Sequence, residues 1–329
     1  MSTIGIANID PQLETALVTD MVRVEALLRT EIEGDYPLLV ETSRHLVEAG
    51  GKRLRPLLTL LAAQFGDSSK YEVIQAAVVC ELTHLATLYH DDVMDEAPLR
   101  RGVESANNRW GNMVAILTGD YLFAKSSGLL ADLGPEAVRL QALTFERLVI
   151  GQISETQGFT TGLSPLEHYL KVVADKTGSL IAASARYGAM VSGASAEDME
   201  TLTQFAEHIG ITFQLADDVI DIASTTNESG KTPGTDLREG VPTLVTIFAM
   251  ESEDPADAEL MKTLSAPITD EAVVAKTLAT LRQHAAMAKS RELLEQYSNR
   301  SRELLDQLPA GAAKEALISL CEAVITRSA

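Results

Sequence analysis

The chain has 329 residues, 46% of them hydrophobic, and its 47 acidic side chains against 27 Lys and Arg give a formal charge of −20. That length and apolar content supply a sizeable buried core and exclude a small stapled scaffold. A pI near 4.7 excludes duplex nucleic acid as a partner, because such binding needs a basic face, and any polyanionic substrate must be met by a local reversal of sign.

In chain order, apolar residues recur at spacings of three and four over Leu13 to Ile32, Tyr36 to Ala49, Tyr71 to Asp95, Asn108 to Asp132 and Pro135 to Gly158. The same spacing continues over Pro165 to Val191, Ala196 to Thr225, Val241 to Met250, Asp270 to Tyr297 and Ala310 to Ile325. Asp10-Pro11 and Gly134-Pro135 read as helix starts, and Gly50-Gly51, Gly66 and Gly193 as stops. The segment Tyr71 to Asp95 is apolar nearly all round in its first half, which predicts a central buried helix. The acidic stretch Glu251 to Glu259 reads as a solvated loop and helix start. With no period-2 alternation, no linker and no solenoid repeat, the expectation is one all-α domain over residues 1–329, built from ten or more helices. Cys80 and Cys321 make no disulfide framework, and Cys80 reads as a buried thiol. No signal peptide and no apolar run of about 18 residues is visible, so the expected location is cytoplasmic, without a transmembrane helix.

One motif occurs twice. Asp91-Asp92-Val93-Met94-Asp95 returns as Asp217-Asp218-Val219-Ile220-Asp221, each after a strongly apolar helix. On a helix the first and last carboxylates share a face, and the middle one is turned about 100° away. Paired carboxylates at that spacing call for a hard divalent cation, and Mg²⁺ shares its shell readily with water and phosphate oxygens. Cations are interleaved with the motifs: Lys52, Arg53 and Arg55 after Gly50-Gly51, Arg100 and Arg101 in a predicted turn reaching back over the helix end, Lys176, and Lys231. Metal ions plus these local cations make a diphosphate site in a polyanionic protein.

At this point the chain resembles the trans-isoprenyl diphosphate (polyprenyl) synthases over residues 49–248. The blocks that carry the likeness are Gly50-Gly51-Lys52-Arg53, His84 through Gly102, and Phe213 through Asp221. The resemblance implies a helical bundle around a central cavity and a Mg²⁺-dependent prenyltransferase, with about three ions per site once substrate is bound. It also implies that Asp91, Asp95, Asp217 and Asp221 hold Mg²⁺ on the diphosphate of an allylic primer, contacted as well by Arg100, Lys176 and Lys231. Lys52, Arg55, His84 and Arg101 would bind isopentenyl diphosphate, and Thr177 and Gln214 would line the reacting centre. Thr235 and Val241 stand where the family often has lysines, which predicts weaker or altered holding of the allylic diphosphate. The family's usual state is a homodimer, and a lipophilic product leaves peripheral membrane contact open.

Product length is expected to follow Thr87, Ala86 and Thr83, which lie four, five and eight positions before Asp91. All are small, as are Ala124, Ser127 and Gly128, so growth is expected to run to about C35–C50, as in a quinone side chain. The alternatives are a farnesyl or geranylgeranyl diphosphate synthase, a class I terpene cyclase, and a non-catalytic partner subunit. Glu81-Leu82-Thr83-His84 also reads as one Glu-x-x-His, but a di-iron bundle needs a second copy.

Overall fold

The computed structural model describes residues 6–159, 162–224 and 233–326. Its first helix, α1 (Pro11–Glu31), opens where the sequence puts it: the Asp10 carboxylate accepts from the N–H groups of Gln12 and Leu13, both at 3.0 Å. There follow α2 (Pro37–Glu48), α3 (Leu54–Ala63) and α4 (Tyr71–Met94). A hairpin of β1 (Leu99–Arg100) and β2 (Val103–Glu104) leads to α5 (Ala106–Trp110), α6 (Asn112–Leu133) and α7 (Pro135–Gln157). Next come α8 (Pro165–Val173), a π-helical turn over Ala174–Gly178, α9 (Ser179–Ser192) and α10 (Ala196–Ala223). The remaining helices are α11 (Thr235–Glu239), α12 (Leu244–Met250), α13 (Ala258–Leu264), α14 (Glu271–Gln283), α15 (Ala285–Leu305) and α16 (Ala312–Thr326). The all-α expectation of ten or more helices holds, and the two-residue strands are the only ones among the described residues.

Residue contacts group the chain into two compact units. The first comprises residues 1–145, 180–206 and 307–317, and the second 146–179, 207–306 and 318–329. In the first, α4 is the central helix, packed by α1, α3 and α6 and buried along most of its length. Gly188 brings α9 onto α3, where a Cβ would stand 2.0 Å from the Thr59 carbonyl oxygen; the Thr59 hydroxyl donates to the Ser184 carbonyl beside it, at 2.9 Å. Gly188→Ala is therefore expected to cost about 3 kcal/mol and to lower the thermal midpoint by on the order of 5–10 °C, read by differential scanning calorimetry.

In the second unit, Val219 and Ile222 of α10 pack with Val245, Leu278, Leu281 and Met287 into one apolar cluster. Three predicted segments are divided, Pro165 to Val191 by the π turn between α8 and α9. Gly111, at φ 86°, separates α5 from α6. His284 ends α14 and caps α15, its Nδ1 accepting from Ala286 N–H at 3.0 Å while Nε2 meets Asp257 at 2.9 Å. The stretch Glu251 to Glu259 is mainly exposed, as expected.

Both thiols are buried, and burial pushes Cys80 up to about 11 and Cys321 to about 12. Native protein is expected to leave Ellman's reagent almost unreacted at pH 8, with two thiols titrating once guanidinium unfolds the chain.

Candidate active site

In the first unit the acidic end of α4 divides its own carboxylates. Asp92 is fully buried, and its Oδ1 accepts from Arg100 Nε at 2.5 Å. Burial raises the Asp92 carboxyl and the Arg100 guanidinium opposes that rise. Asp91 is half-buried and Asp95, at the C-cap, exposed. The hairpin swings Arg100 back: Leu99 pairs with Glu104 and Arg100 with Val103, around a two-residue turn in which Arg101 and Gly102 both have positive φ (54° and 79°). Those are the dihedrals a type I′ turn requires. Only one of the two guanidiniums expected over the helix end goes there. Arg101 points instead to the glycine loop, donating to the carbonyls of Leu46 (2.9 Å) and Gly50. A Cβ on Gly51 would stand 2.9 Å from the Arg101 guanidinium carbon, and the φ of 146° there is one that side chains rarely adopt, so glycine suits the loop's closure on Arg101.

The cations around that loop have separate employment. Arg53 is spent within the protein, on Glu25 (2.5 Å), Glu81 (2.8 Å) and the Val47 carbonyl (3.0 Å). Arg55 is different: its Nε is buried with no hydrogen-bond partner among the described residues, and burial pulls the guanidinium below its ordinary value. His84 is pulled well below the usual imidazole range, first by burial and then by Arg55, Arg101, Arg100 and Arg53, which keeps it neutral. Three acids face the four guanidiniums: Glu81, 2.8 Å from Arg53 and 3.9 Å from Arg101, Glu25 on Arg53, and Asp92 on Arg100. A neutral imidazole among guanidiniums that still outnumber their acids is a receptor for an anion. Glu81, read in the sequence only as half of a Glu-x-x-His pair, is thus one counter-charge of the cluster. Lys52 stands exposed at its edge.

In the second unit the end of α10 repeats the division. Asp218 is buried and accepts from the Tyr169 hydroxyl, from Gln214 Nε2 (3.1 Å) and from Leu244 N–H (3.1 Å). Burial pushes Asp218 up to about 6, against those three donors. Asp217 and Asp221 are half-buried, and Thr235 N–H donates to Asp221 Oδ1 at 3.3 Å. Gln214 is thereby anchored on the middle aspartate of its own motif. Tyr169, which the sequence reading passed over, gives no signal beyond an apolar spacing shared with many core positions. Lys176 and Thr177 lie in the π turn, with Lys176 Nζ on Glu155 Oε2 at 2.5 Å. Lys231 lies outside the described residues.

Of the residues expected to border a hydrocarbon chain, Thr87 is 8% exposed and donates to the His84 carbonyl at 2.8 Å. Ala86 is fully buried, and its carbonyl would lie 3.1 Å from a Cβ on Gly119, so α6 abuts that side. Thr83 is buried and hydrogen-bonded to Ser126 (3.1 Å) and Gln141 (2.9 Å). Ala124, Ser127 and Gly128 are exposed. They lie on the outer face of α6, alongside Met113 (76% exposed) and Leu117 (53%).

The donors fit Mg²⁺. Each motif offers carboxylate oxygens only, with the middle aspartate buried and the flanking two partly exposed. Among the described residues no three His, Cys, Asp or Glu side chains close into a cage within reach of one ion.

The polyprenyl synthetase family model matches residues 36–281. A nonaprenyl diphosphate synthase of Mycobacterium tuberculosis is 47% identical over 324 residues, covering 98% of this chain and 97% of that one. Among solved structures, a geranylgeranyl pyrophosphate synthase of Corynebacterium glutamicum, complexed with calcium and isoprenyl diphosphate, superimposes with a TM-score of 0.88 at 45% identity, covering 97% of this chain and 98% of that one. A decaprenyl diphosphate synthase of Rhodobacter capsulatus gives 0.89 at 31% identity, covering 97% and 99%.

Proposed function

The chain belongs to the polyprenyl synthetase family, and from that premise we propose that it is a prenyltransferase. It condenses isopentenyl diphosphate repeatedly onto an allylic diphosphate to give a long trans-polyprenyl diphosphate, about C35–C50, for quinone side chains. The observation that carries the reading is a division made twice: in each acidic motif the middle aspartate is buried and held by donors of the protein, while the flanking pair keeps partial exposure.

Asp91 and Asp95, with Asp217 and Asp221, hold Mg²⁺ on the allylic diphosphate, and Arg100, Lys176 and Lys231 bind the same group. Bound Mg²⁺ supplies Lewis-acid stabilisation of the diphosphate as it departs. The guanidinium and ammonium groups add to that stabilisation where negative charge develops, which is where it accelerates the step. Lys52, Arg55, Arg101 and neutral His84 orient isopentenyl diphosphate so that its double bond attacks the allylic cation, and a proton then leaves to the released diphosphate. Thr177 and Gln214 stand beside the reacting carbon. The apolar helix faces exclude the water that would capture the cation.

We read residues 1–329 as one polyprenyl synthase domain in a cytoplasmic enzyme, supported by a family match that runs through both units. No described helix is long and apolar enough to cross a membrane. We also propose a homodimer, since α6 exposes Met113, Ile116 and Leu117, and α7 exposes Val138, Leu143, Val149, Ile150 and Ile153 on regular helical stripes. Leu117→Glu is expected to shift the light-scattering mass from two chains to one.

A shorter product is the second reading, because relatives with long and with geranylgeranyl products match this chain about equally well. The test is a turnover assay with labelled isopentenyl diphosphate and primers from dimethylallyl to geranylgeranyl diphosphate, with and without Mg²⁺. A Mg²⁺-dependent ladder passing about C30 is expected. A ladder ending at C20 or below establishes the shorter reading, and no elongation overturns both.

A further inference from the structure

The π-helical turn at Ala174–Gly178 carries Lys176 and Thr177, and it is gripped from three helices of its own unit. Arg147 of α7 donates from Nε to Asp175 Oδ1 (3.0 Å) and from Nη2 to Glu207 Oε1 of α10 (2.5 Å) and to the Ala174 carbonyl (3.5 Å). Lys171 of α8 holds the other oxygen of Asp175 at 2.6 Å. One turn along α7 from Arg147, Gly151 lets the backbones meet: a Cβ there would stand 2.8 Å from Lys176 N and 3.1 Å from Asp175 C. The Asp175 side chain is only 11% exposed, and the Lys176 ammonium beside it is held by Glu155 of the same α7 at 2.5 Å.

A π turn shifts the hydrogen-bond register by one residue and rotates every side chain after it, so it persists where surrounding contacts fix it. Here the register of the turn that carries Lys176 and Thr177 is held by one guanidinium fork and one missing Cβ, with Glu155 holding the Lys176 ammonium beyond them. We propose that Arg147, Asp175 and Gly151 are positioning residues that aim Lys176 and Thr177 at the allylic diphosphate without touching it. The inference rests on the prenyltransferase reading of the site. It goes beyond that reading in giving specific work to residues outside both acidic motifs and outside the cation clusters.

Two chemically unrelated substitutions test it. Arg147→Met removes the fork at a side chain that is 40% exposed, and Gly151→Ala pushes on the turn while deleting no charge. Both are expected to lower kcat/KM for the allylic substrate on the order of 10- to 100-fold, while KM for isopentenyl diphosphate stays within about twofold. Arg147→Lys, which keeps a charge on Asp175 but loses the fork, is expected to recover part of the loss. Circular dichroism and thermal midpoints report folding alongside, and a merely structural role would move both Michaelis constants or neither. Equal changes in the two constants, unchanged kinetics, or an effect of Arg147→Met without one of Gly151→Ala overturn the proposal in an enzyme whose parent form elongates. A parent protein that does not elongate overturns the prenyltransferase reading, and the positioning role with it.

Discussion

Asp91→Asn is expected to lower kcat by on the order of a thousandfold and to leave the thermal midpoint within about 2 °C, measured in the elongation assay and by calorimetry. The substitution keeps shape and removes the charge that holds the metal, so the lost stabilisation belongs to the departing diphosphate rather than to the fold. Asp218→Ala should show the reverse emphasis. It takes the acceptor away from the Tyr169 hydroxyl, the Gln214 amide and the Leu244 N–H, all at a buried site. Stranded donors of that kind cost about 3 kcal/mol in sum, so the midpoint falls by several degrees. Its turnover suffers through Gln214 and the displaced end of α10, and added Mg²⁺ does not restore it. High Mg²⁺ should partly rescue Asp91→Asn. Equal loss of stability in both variants would sink the division between partly exposed and buried aspartates.

That division was legible in the sequence, since a helix places positions one and five of each motif on one face and position two elsewhere. The burial of α4 was legible for a similar reason, because a helix apolar all round has no face to give to water. The π turn was not. Lys176-Thr177-Gly178 sits in an unbroken apolar period, and what shifts its register is a guanidinium 29 positions earlier and the space left by Gly151. Nor could spacing show that Arg53, one of three neighbouring cations, is consumed by Glu25 and Glu81 while Arg55 keeps a buried unpartnered Nε. The break at His284 escaped because its cap is an imidazole held by Asp257, a charge 27 residues away. On α6 the small size of Ala124, Ser127 and Gly128 does not place them, because a helix with apolar residues on two sides does not declare which stripe is buried. Met113 and Leu117 show that Ala124, Ser127 and Gly128 belong to the outer one.

Thr87→Phe is expected to shorten the product from about C35–C50 to about C15–C20, with primer consumption kept within about tenfold of the parent. Thr87 lies one helical turn behind Asp91 on the same face, so a chain growing away from the metal-bound diphosphate passes it early. Thr87 retains some exposure, at 8%, and its hydrogen bond is to the His84 carbonyl of its own helix, so a larger residue breaks no tertiary hydrogen bond. An aromatic ring there turns a passage into a floor, and elongation stops when the chain end meets it. Ala86→Phe tests the same idea less cleanly. Ala86 is fully buried with α6 drawn close at Gly119, and forcing a ring into that contact costs about 1–3 kcal/mol before any product is made. The contrast is itself informative, because it predicts two neighbouring substitutions with different signatures: a change of product length at Thr87, and a fall in thermal midpoint accompanying any change at Ala86. Product sizing by mass spectrometry after phosphatase treatment reads the first and calorimetry the second. A Thr87→Phe enzyme that still makes the parent's product would remove Thr87 from the path of the chain. The limit on growth would then have to be sought two turns behind Asp91, where Thr83 is fixed by Ser126 and Gln141 and cannot rotate aside.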